Sequence, residues 1–190
     1  PYQPICNIIF NYFGWYENDL MNWHIRYDSE EIVRRLLYWL NQKRAENAPL
    51  FAWINLMETH EPHVDPYTPR DRITEETLRI DHQRDDQQFR ETTVAAYREE
   101  VRFIDARIRD ILQSLKTKGF YRNAIIIINS DHGQVFFRNT PQPHDPLYII
   151  PRRWGHGSSL DEEVVNALLL VRIPDTQPGV SGATCSLLDV

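Results

Sequence analysis

A carboxylate and an imidazole stand side by side where an Ile-rich segment ends, in the run N-S-D-H-G at 129–133. Past the last bond of a strand the backbone can turn, so that two adjacent side chains reach one point. Gly133 suits such a turn because glycine tolerates positive φ. A carboxylate with an imidazole binds several divalent metals, which makes Asp131 and His132 candidate metal ligands without selecting the ion. The alternative is a capping aspartate followed by a surface histidine.

Two further groups of histidines lie in loops. The segment 60–66, H-E-P-H-V-D-P, carries His60 and His63 between prolines that stiffen the backbone. Imidazoles held in this way can bind an oxyanion or exchange a proton. His156 stands between two glycines, which let the backbone approach a ligand closely. Either loop could equally be a solvent-exposed connection with incidental histidines, and the acids Glu58 and Asp65 receive no assignment.

The segments between these motifs predict the elements that position them. Apolar residues at helical spacing predict a helix from Ser29 and a longer one over about 91–118, which Gly119 ends. Residues 1–28 have the composition of an irregular segment. Short apolar runs predict three buried strands, at 50–57, 124–130 and 167–173. This order predicts an α/β domain, with a mainly parallel sheet covered by helices on both faces.

Composition excludes several classes of protein. The net charge of −6 and the pI near 5.6 argue against a nucleic-acid-binding protein, which would carry a basic face. No apolar run is long enough for a transmembrane helix, and no secretory signal is visible. The chain begins at Pro1, so no compartment is predicted, and no oligomeric state either. Cys6 and Cys185 could form one disulfide or none.

The ordered set of segments resembles the sulfatase family of the alkaline-phosphatase superfamily. The loop H-E-P-H-V-D-P is similar to the family's His-x-Pro-His-x-Pro loop, and I-I-I-I-N-S-D-H-G is similar to its strand and metal turn. Three more segments are similar to the family's long helix, its run into the next core strand and the start of the following helix, at 97–115, 155–174 and 186–190. The likeness covers about 29–190, with 72–90 and 134–153 divergent.

The resemblance implies an αβα sandwich of the alkaline-phosphatase type and a role for each candidate residue. Asp131 and His132 would be metal ligands, for Ca²⁺ first and for Mn²⁺ or Zn²⁺ as alternatives. His63 would contact the sulfate or phosphate oxygens, with His60 in support. His156 would touch the same group or the leaving oxygen. Either His63 or His156 could protonate the leaving alcohol.

Two parts of the family pattern are absent from the sequence. The family's nucleophile lies in a Cys/Ser-x-Pro-x-Arg motif, where the Cys or Ser becomes formylglycine, or in a Thr or Ser equivalent. Cys6 is followed by Asn-Ile-Ile and Cys185 by Ser-Leu-Leu, so no nucleophile is predicted in these residues. The early pair of aspartate ligands is missing too. We therefore expect residues 1–190 to be one partial catalytic domain, cut at both ends and inactive alone.

Three functions follow from this pattern, of which the first is a sulfate-ester hydrolase. The second is a phosphoryl-group enzyme of the same superfamily, either a phosphonate or phosphodiester hydrolase or a lipid-linked phosphotransferase. The third is a degenerate, non-catalytic binding domain. The expected partner is a small-molecule or glycan sulfate or phosphate ester, and the divergent loops at 64–90 and 134–153 are expected to shape its pocket.

Overall fold

The computed structural model divides the chain into two compact units, Pro1–Asp81 with Asp86–Gly119, and His82–Asp85 with Phe120–Val190. The residues that it describes are 6–10, 29–42, 50–69, 72–74, 84, 86–137, 154–157 and 160–189. None of the helices in these ranges combines the length and the apolar character needed to cross a membrane. Each unit has its own pair of strands.

The first unit contains a parallel pair of strands. A strand over Cys6–Phe10 (β1) runs beside one over Leu50–Ile54 (β2), with Cys6 opposite Leu50 and Phe10 opposite Ile54. The prediction of an irregular start is therefore wrong for β1, because C-N-I-I-F supplies the branched and aromatic side chains that favour a strand. Parallel neighbours need a long crossover connection, and the first helix lies in it.

That helix (α1) spans Ser29–Gln42 and begins where the sequence predicts. The Ser29 backbone N–H donates to Glu58 Oε1 at 2.7 Å, so the acid that received no assignment ties the end of β2 to the start of the helix. Val33, Leu36 and Leu40 are buried at helical spacing, as predicted. Burying each such side chain contributes roughly 1.5–3 kcal/mol to folding.

The long helix (α2) spans Gln87–Thr117 and begins earlier than the predicted start near residue 91. Asp86 caps it and accepts from the Phe89 backbone N–H at 2.9 Å, a signal that lies outside the apolar periodicity. The helix ends where predicted, because Gly119 adopts a φ of +80° just beyond it.

The buried face of α2 differs from the predicted apolar stripe. Its buried residues are Thr93, Glu100 and Phe103, whereas Val101, an apolar residue at helical spacing, is 43% exposed. Arg107 lies one helical turn beyond Phe103 and bonds to Glu30 at 3.1 Å, which joins α2 to α1. Two of the three buried residues are therefore polar, and one of those is a carboxylic acid.

The second unit contains an antiparallel pair of strands. A strand over Ile126–Asn129 (β3) pairs with one over Leu169–Arg172 (β4), with Asn129 opposite Leu169. Past the last paired residues, the Ser130 N–H donates to the Leu168 carbonyl at 3.1 Å. The short helix α3 (Glu162–Val165) precedes β4, and 3-10 turns cover Tyr121–Asn123 and Leu187–Asp189. The pairing with β4 and the Ser130–Leu168 hydrogen bond hold the carboxyl end of β3 in place.

The α/β class is confirmed, but the mainly parallel sheet is not. The described strands form one parallel and one antiparallel pair. The strands are also less buried than predicted, because a pair of strands is not covered on both of its faces by other elements. Phe51 and Trp53 of β2 are 52% and 60% exposed, and Leu170 of β4 is 54% exposed. Cys185 is exposed and forms no disulfide.

Candidate functional site

The turn after β3 places Asp131 and His132 as a pair. The His132 backbone N–H donates to Asp131 Oδ1 at 3.0 Å. His132 Nδ1 lies 2.7 Å from the Gly133 carbonyl oxygen, and because a carbonyl only accepts, Nδ1 carries the hydrogen and donates. In the neutral ring Nε2 then holds the lone pair, and it lies 3.7 Å from Asp131 Oδ1. The backbone has thus selected the tautomer that a metal ligand requires.

This donor set fits a divalent cation. A carboxylate oxygen and an unprotonated imidazole nitrogen 3.7 Å apart can bind one ion at distances of roughly 2.0–2.6 Å. The Asp131 side chain is 87% exposed, so an ion can reach it. Within the part of the chain that the structure describes, no three His, Cys, Asp or Glu side chains cluster around such a point. The described residues therefore offer two candidate ligands at this point, Asp131 and His132.

His156 is held beside this turn by a short bridge. Val135 and Gly155 exchange backbone hydrogen bonds of 3.2 and 2.9 Å, which fixes the residue before His156. Both flanking glycines have positive φ, +104° at Gly155 and +74° at Gly157. They therefore provide a left-handed backbone on either side of the histidine, which other residues adopt only with strain.

The structure brings His156 against the predicted metal pair. The imidazole rings of His132 and His156 lie 4.1 Å apart between centroids, tilted by 32°. His156 Nδ1 donates to Gln134 Oε1 at 2.8 Å, so in the neutral ring its Nε2 holds the lone pair, as in His132. Sequence reasoning missed Gln134, because a glutamine just after a turn carries no signal of its own. The side-chain nitrogen Nε2 of Gln134 is buried and has no hydrogen-bond partner among the described residues.

Gly133 is needed for a reason other than the predicted one. The described glycines with positive φ are Gly119, Gly155 and Gly157, so a left-handed turn at Gly133 is a wrong prediction. A Cβ on Gly133 would instead lie 2.0 Å from the Glu163 carbonyl oxygen. The Gly133 N–H donates to the next carbonyl, that of Val164, at 2.7 Å. The turn and α3 therefore touch backbone to backbone.

The loop after β2 holds His63 in a different environment. His63 Nδ1 lies 2.8 Å from Glu100 Oε2, and the Val64 N–H donates to Glu100 Oε1 at 2.8 Å. The His63 and Glu100 side chains are 0% and 2% exposed. The Tyr97 ring meets the imidazole edge-to-face at 5.2 Å. One buried carboxylate thus binds the side chain of one loop residue and the backbone of the next.

Burial sets the electrostatics of this group. Removal from water raises the pKa of the Glu100 carboxyl, and the hydrogen bond from His63 opposes that rise. Burial, followed by the nearby Glu100 charge, also raises the pKa of Tyr97. Glu100 was absent from the predicted site residues. A signal did exist, because a glutamate three residues after Tyr97 and four before Ile104 interrupts the apolar stripe.

The remaining predicted site residue, His60, turns toward its own loop. Its Nδ1 lies 2.6 Å from the carbonyl oxygen of Glu61, whose bond to Pro62 is cis. His60 and His63 belong to the first unit, whereas Asp131, His132 and His156 belong to the second. The expected meeting of imidazoles from both loops therefore stays a prediction, as do the individual roles of these residues. The histidines without an assigned role are outside the described residues, at positions 24, 82 and 144.

Comparison with known proteins identifies the family. The family model described as Sulfatase matches residues 3–188, which is nearly the whole chain. Comparison with curated proteins returns no match. The matched span includes both histidine loops, the turn after β3 and the strand that follows. The chain therefore belongs to the sulfatase family, whose members are hydrolases of the alkaline-phosphatase superfamily.

Proposed function

We propose that this protein is a metal-dependent hydrolase of sulfate esters. The observation that carries the proposal is the stacked pair of His132 and His156 beside the Asp131 carboxylate. Both rings are bonded through Nδ1, so both direct their chemistry through Nε2. A carboxylate with two oriented imidazoles is suited to holding a cation together with the anionic ester that it attracts.

Each side chain has a proposed task. Asp131 and His132 hold the divalent ion, with Ca²⁺ preferred over Mn²⁺ or Zn²⁺, and a bound ion supplies Lewis-acid polarisation of the ester oxygens. His156 contacts the transferred group and protonates the leaving alcohol through Nε2. His63 binds the charge that develops on the nonbridging oxygens, and it can act as the alternative acid. His60 supports it.

The nucleophile of such a hydrolase is a formylglycine, and neither Cys6 nor Cys185 lies in the required motif. Residues 1–190 are accordingly proposed to form part of a single catalytic domain. Its complete sheet is mainly parallel, with helices on both faces. The substrate is a sulfate ester of a small molecule or a glycan, and the divergent loops select its alcohol part. Activity is therefore tested on the intact protein rather than on residues 1–190.

The first experiment measures turnover of matched aryl esters that differ only in the transferred group. The intact protein is assayed with an aryl sulfate, an aryl phosphate and an aryl phosphonate, and kcat/KM is compared. We expect the sulfate to be preferred, and His156→Ala to lose about 10²–10⁴-fold in kcat because an acid catalyst is removed. His144→Ala, a histidine with no assigned role, serves as the matched control.

The outcomes of this assay separate the candidate functions. A higher kcat/KM for the phosphate or the phosphonate contradicts the sulfatase proposal and favours a phosphoryl-group enzyme. No turnover of any ester, together with no metal binding, favours the degenerate binding domain. Equal losses in His156→Ala and His144→Ala contradict the role assigned to His156.

The second experiment measures metal binding without relying on turnover. Calorimetric titration with Ca²⁺, Mn²⁺ and Zn²⁺ is expected to give a stoichiometric site that Asp131→Asn abolishes, because one ligand loses its charge. Asp175→Asn is the control, since Asp175 is an exposed aspartate with a φ of +58° that asparagine also tolerates. Metal affinity that is unchanged in Asp131→Asn contradicts the ligand assignment.

A further inference from the structure

Glu100 lies on α2 and was not among the predicted site residues, yet both of its carboxylate oxygens bind the loop that carries His60 and His63. We infer that Glu100 is a positioning residue, which fixes the ring and the proton of His63 so that Nε2 is the nitrogen presented to the anionic substrate. The inference rests on the proposed function insofar as His63 contacts that substrate.

The two hydrogen bonds act on different parts of the loop. Oε2 accepts from His63 Nδ1 at 2.8 Å, which keeps the hydrogen on Nδ1 whether the ring is neutral or protonated. Oε1 accepts from the Val64 backbone N–H at 2.8 Å, which holds the chain directly after the histidine. The Tyr97 ring, edge-to-face at 5.2 Å, restricts rotation of the imidazole. The ring is therefore fixed in position, in tilt and in tautomer.

Stability alone does not account for a carboxylate at this place. Glu100 is 1% exposed and stands where the helical periodicity calls for an apolar side chain. Replacing Glu100 together with His63 by well-packed apolar side chains would be neutral or better for stability, because a buried charged group loses its hydration, whereas removing Glu100 alone leaves two donors without their acceptor. What an apolar residue could not provide is an acceptor for Nδ1. The geometry points to His63 as the reason for the acid.

The two histidines of the loop differ in where their hydrogen-bond acceptors lie. His60 Nδ1 lies 2.6 Å from the carbonyl of Glu61, the next residue, so its partner moves with the loop. The partner of His63 comes from a helix 37 residues away in the chain, so it holds the ring against an independent element. In its protonated form the His63 ring also donates from Nε2, and a fixed donor is what stabilisation of a developing negative charge requires. Glu100 therefore assigns that role to His63 rather than to His60.

The first test reads the tautomer directly. Nitrogen NMR of the histidine side chains is expected to show His63 with a protonated Nδ1 and a lone pair on Nε2 once the ring is neutral. Glu100→Gln replaces the acceptor by an amide that can donate, so it is expected to move the hydrogen to Nε2. Glu99→Gln is the matched control, because Glu99 is the preceding glutamate and pairs with the exposed Arg102.

Either of two results overturns the positioning role. One is a wild-type spectrum in which the neutral His63 ring carries its hydrogen on Nε2, and this measurement needs no variant. The other is a Glu100→Gln variant that is folded by circular dichroism and keeps the wild-type tautomer. Both results leave the proposed function of the protein intact.

The second test measures the consequence for turnover in the intact protein. Glu100→Gln is expected to lower kcat/KM for an aryl sulfate about 10–100-fold, the range seen when a group behind a functional histidine is lost. Glu100→Asp, which keeps the acceptor charge, is expected to recover part of this loss, and Glu99→Gln to lose nothing. A switched tautomer with wild-type kcat/KM in both Glu100→Gln and His63→Ala overturns the inference through its premise, since His63 then does not contact the substrate.

Discussion

His63 in the first unit and His156 in the second are both held through Nδ1, but their acceptors differ in charge and in exposure. His63 donates to the carboxylate of Glu100, and both side chains are almost completely buried. His156 donates to the neutral amide of Gln134 and stacks on His132, whose side chain is 34% exposed. Hydrogen bonds to a charged group contribute about 1.5–3 kcal/mol, whereas neutral ones contribute about 0.5–1.5.

This difference suggests a division of tasks between the two imidazoles. A ring bound to a buried charge is held rigidly, which suits a donor that must not move while charge develops nearby. A ring bound to an amide beside an exposed turn is more weakly held and closer to water, which suits a group that gains and loses a proton in each cycle. Four measurements test this difference between His63 and His156.

The largest effect is expected from Glu100→Ala. The substitution leaves two buried donors, the Nδ1–H of His63 and the N–H of Val64, without their acceptor. We expect the free energy of unfolding to fall by about 3–5 kcal/mol in urea denaturation, and hydrogen exchange of the Val64 amide to accelerate. Glu99→Ala is the control. A decrease below about 1 kcal/mol would show that the carboxylate is not an essential partner.

Gly133→Ala tests the backbone contact behind the second cluster. The added Cβ would lie 2.0 Å from the Glu163 carbonyl, so the turn and α3 must separate. We expect a loss of about 1–3 kcal/mol in unfolding free energy, with weaker metal binding because Asp131 and His132 shift. Gly182→Ala is the control, since a Cβ there meets nothing within 4 Å and its φ is not positive. Equal losses of unfolding free energy in the two variants would contradict the steric explanation.

The third prediction concerns pH, and its sign follows from burial. Because burial raises the pKa of Glu100, the folded protein keeps a proton that the unfolded chain releases near about pH 4.3. The stabilisation of the folded state by protonated Glu100 is therefore complete below that pH, and it is lost as the pH rises through the raised pKa. We expect the difference in unfolding free energy between the wild type and Glu100→Gln, measured by urea denaturation across this pH range, to fall by at most about 1.4 kcal/mol per pH unit. A difference that increases with pH in this window would reverse the assignment.

The smallest effect is expected from Gln134→Ala. It removes one neutral hydrogen bond to His156, so the unfolding free energy should fall by only about 0.5–1.5 kcal/mol. Gln134→Glu sharpens the comparison, because it gives His156 the kind of acceptor that His63 already has. If the division of tasks holds, the pH at which kcat is half-maximal should shift upward in Gln134→Glu, since a carboxylate stabilises the protonated ring. An unchanged pH profile of kcat would argue against His156 as the acid.

Local patterns predicted those features that depend on neighbours in the chain. The start of α1, its buried face and the end of α2 follow from helical periodicity and from glycine. What the sequence pattern did not provide was the partner of each ring. Glu100 and Gln134 contact their histidines across 37 and 22 residues, and no local pattern encodes such contacts.

Two misassignments have a common physical cause. Gly133 was expected to adopt positive φ, and the strands were expected to be buried, because each prediction rested on the residues of a single segment. The real constraint on Gly133 is a carbonyl from α3, and the exposure of β2 and β4 depends on what lies beside them. Properties that are set by a second segment are not written in the first one.

The bridge between Val135 and Gly155 has a consequence for how such a hydrolase diversifies. It joins the chain on either side of the divergent segment, directly before His156. Any insertion between the two bridged residues must be closed by the same pair of hydrogen bonds. Doubling the length of a flexible loop raises its closure free energy by only about 0.6 kcal/mol. Under the proposed function, selection can rewrite this stretch for new alcohols while the His156 imidazole keeps its place, so that substrate range and reaction chemistry evolve separately.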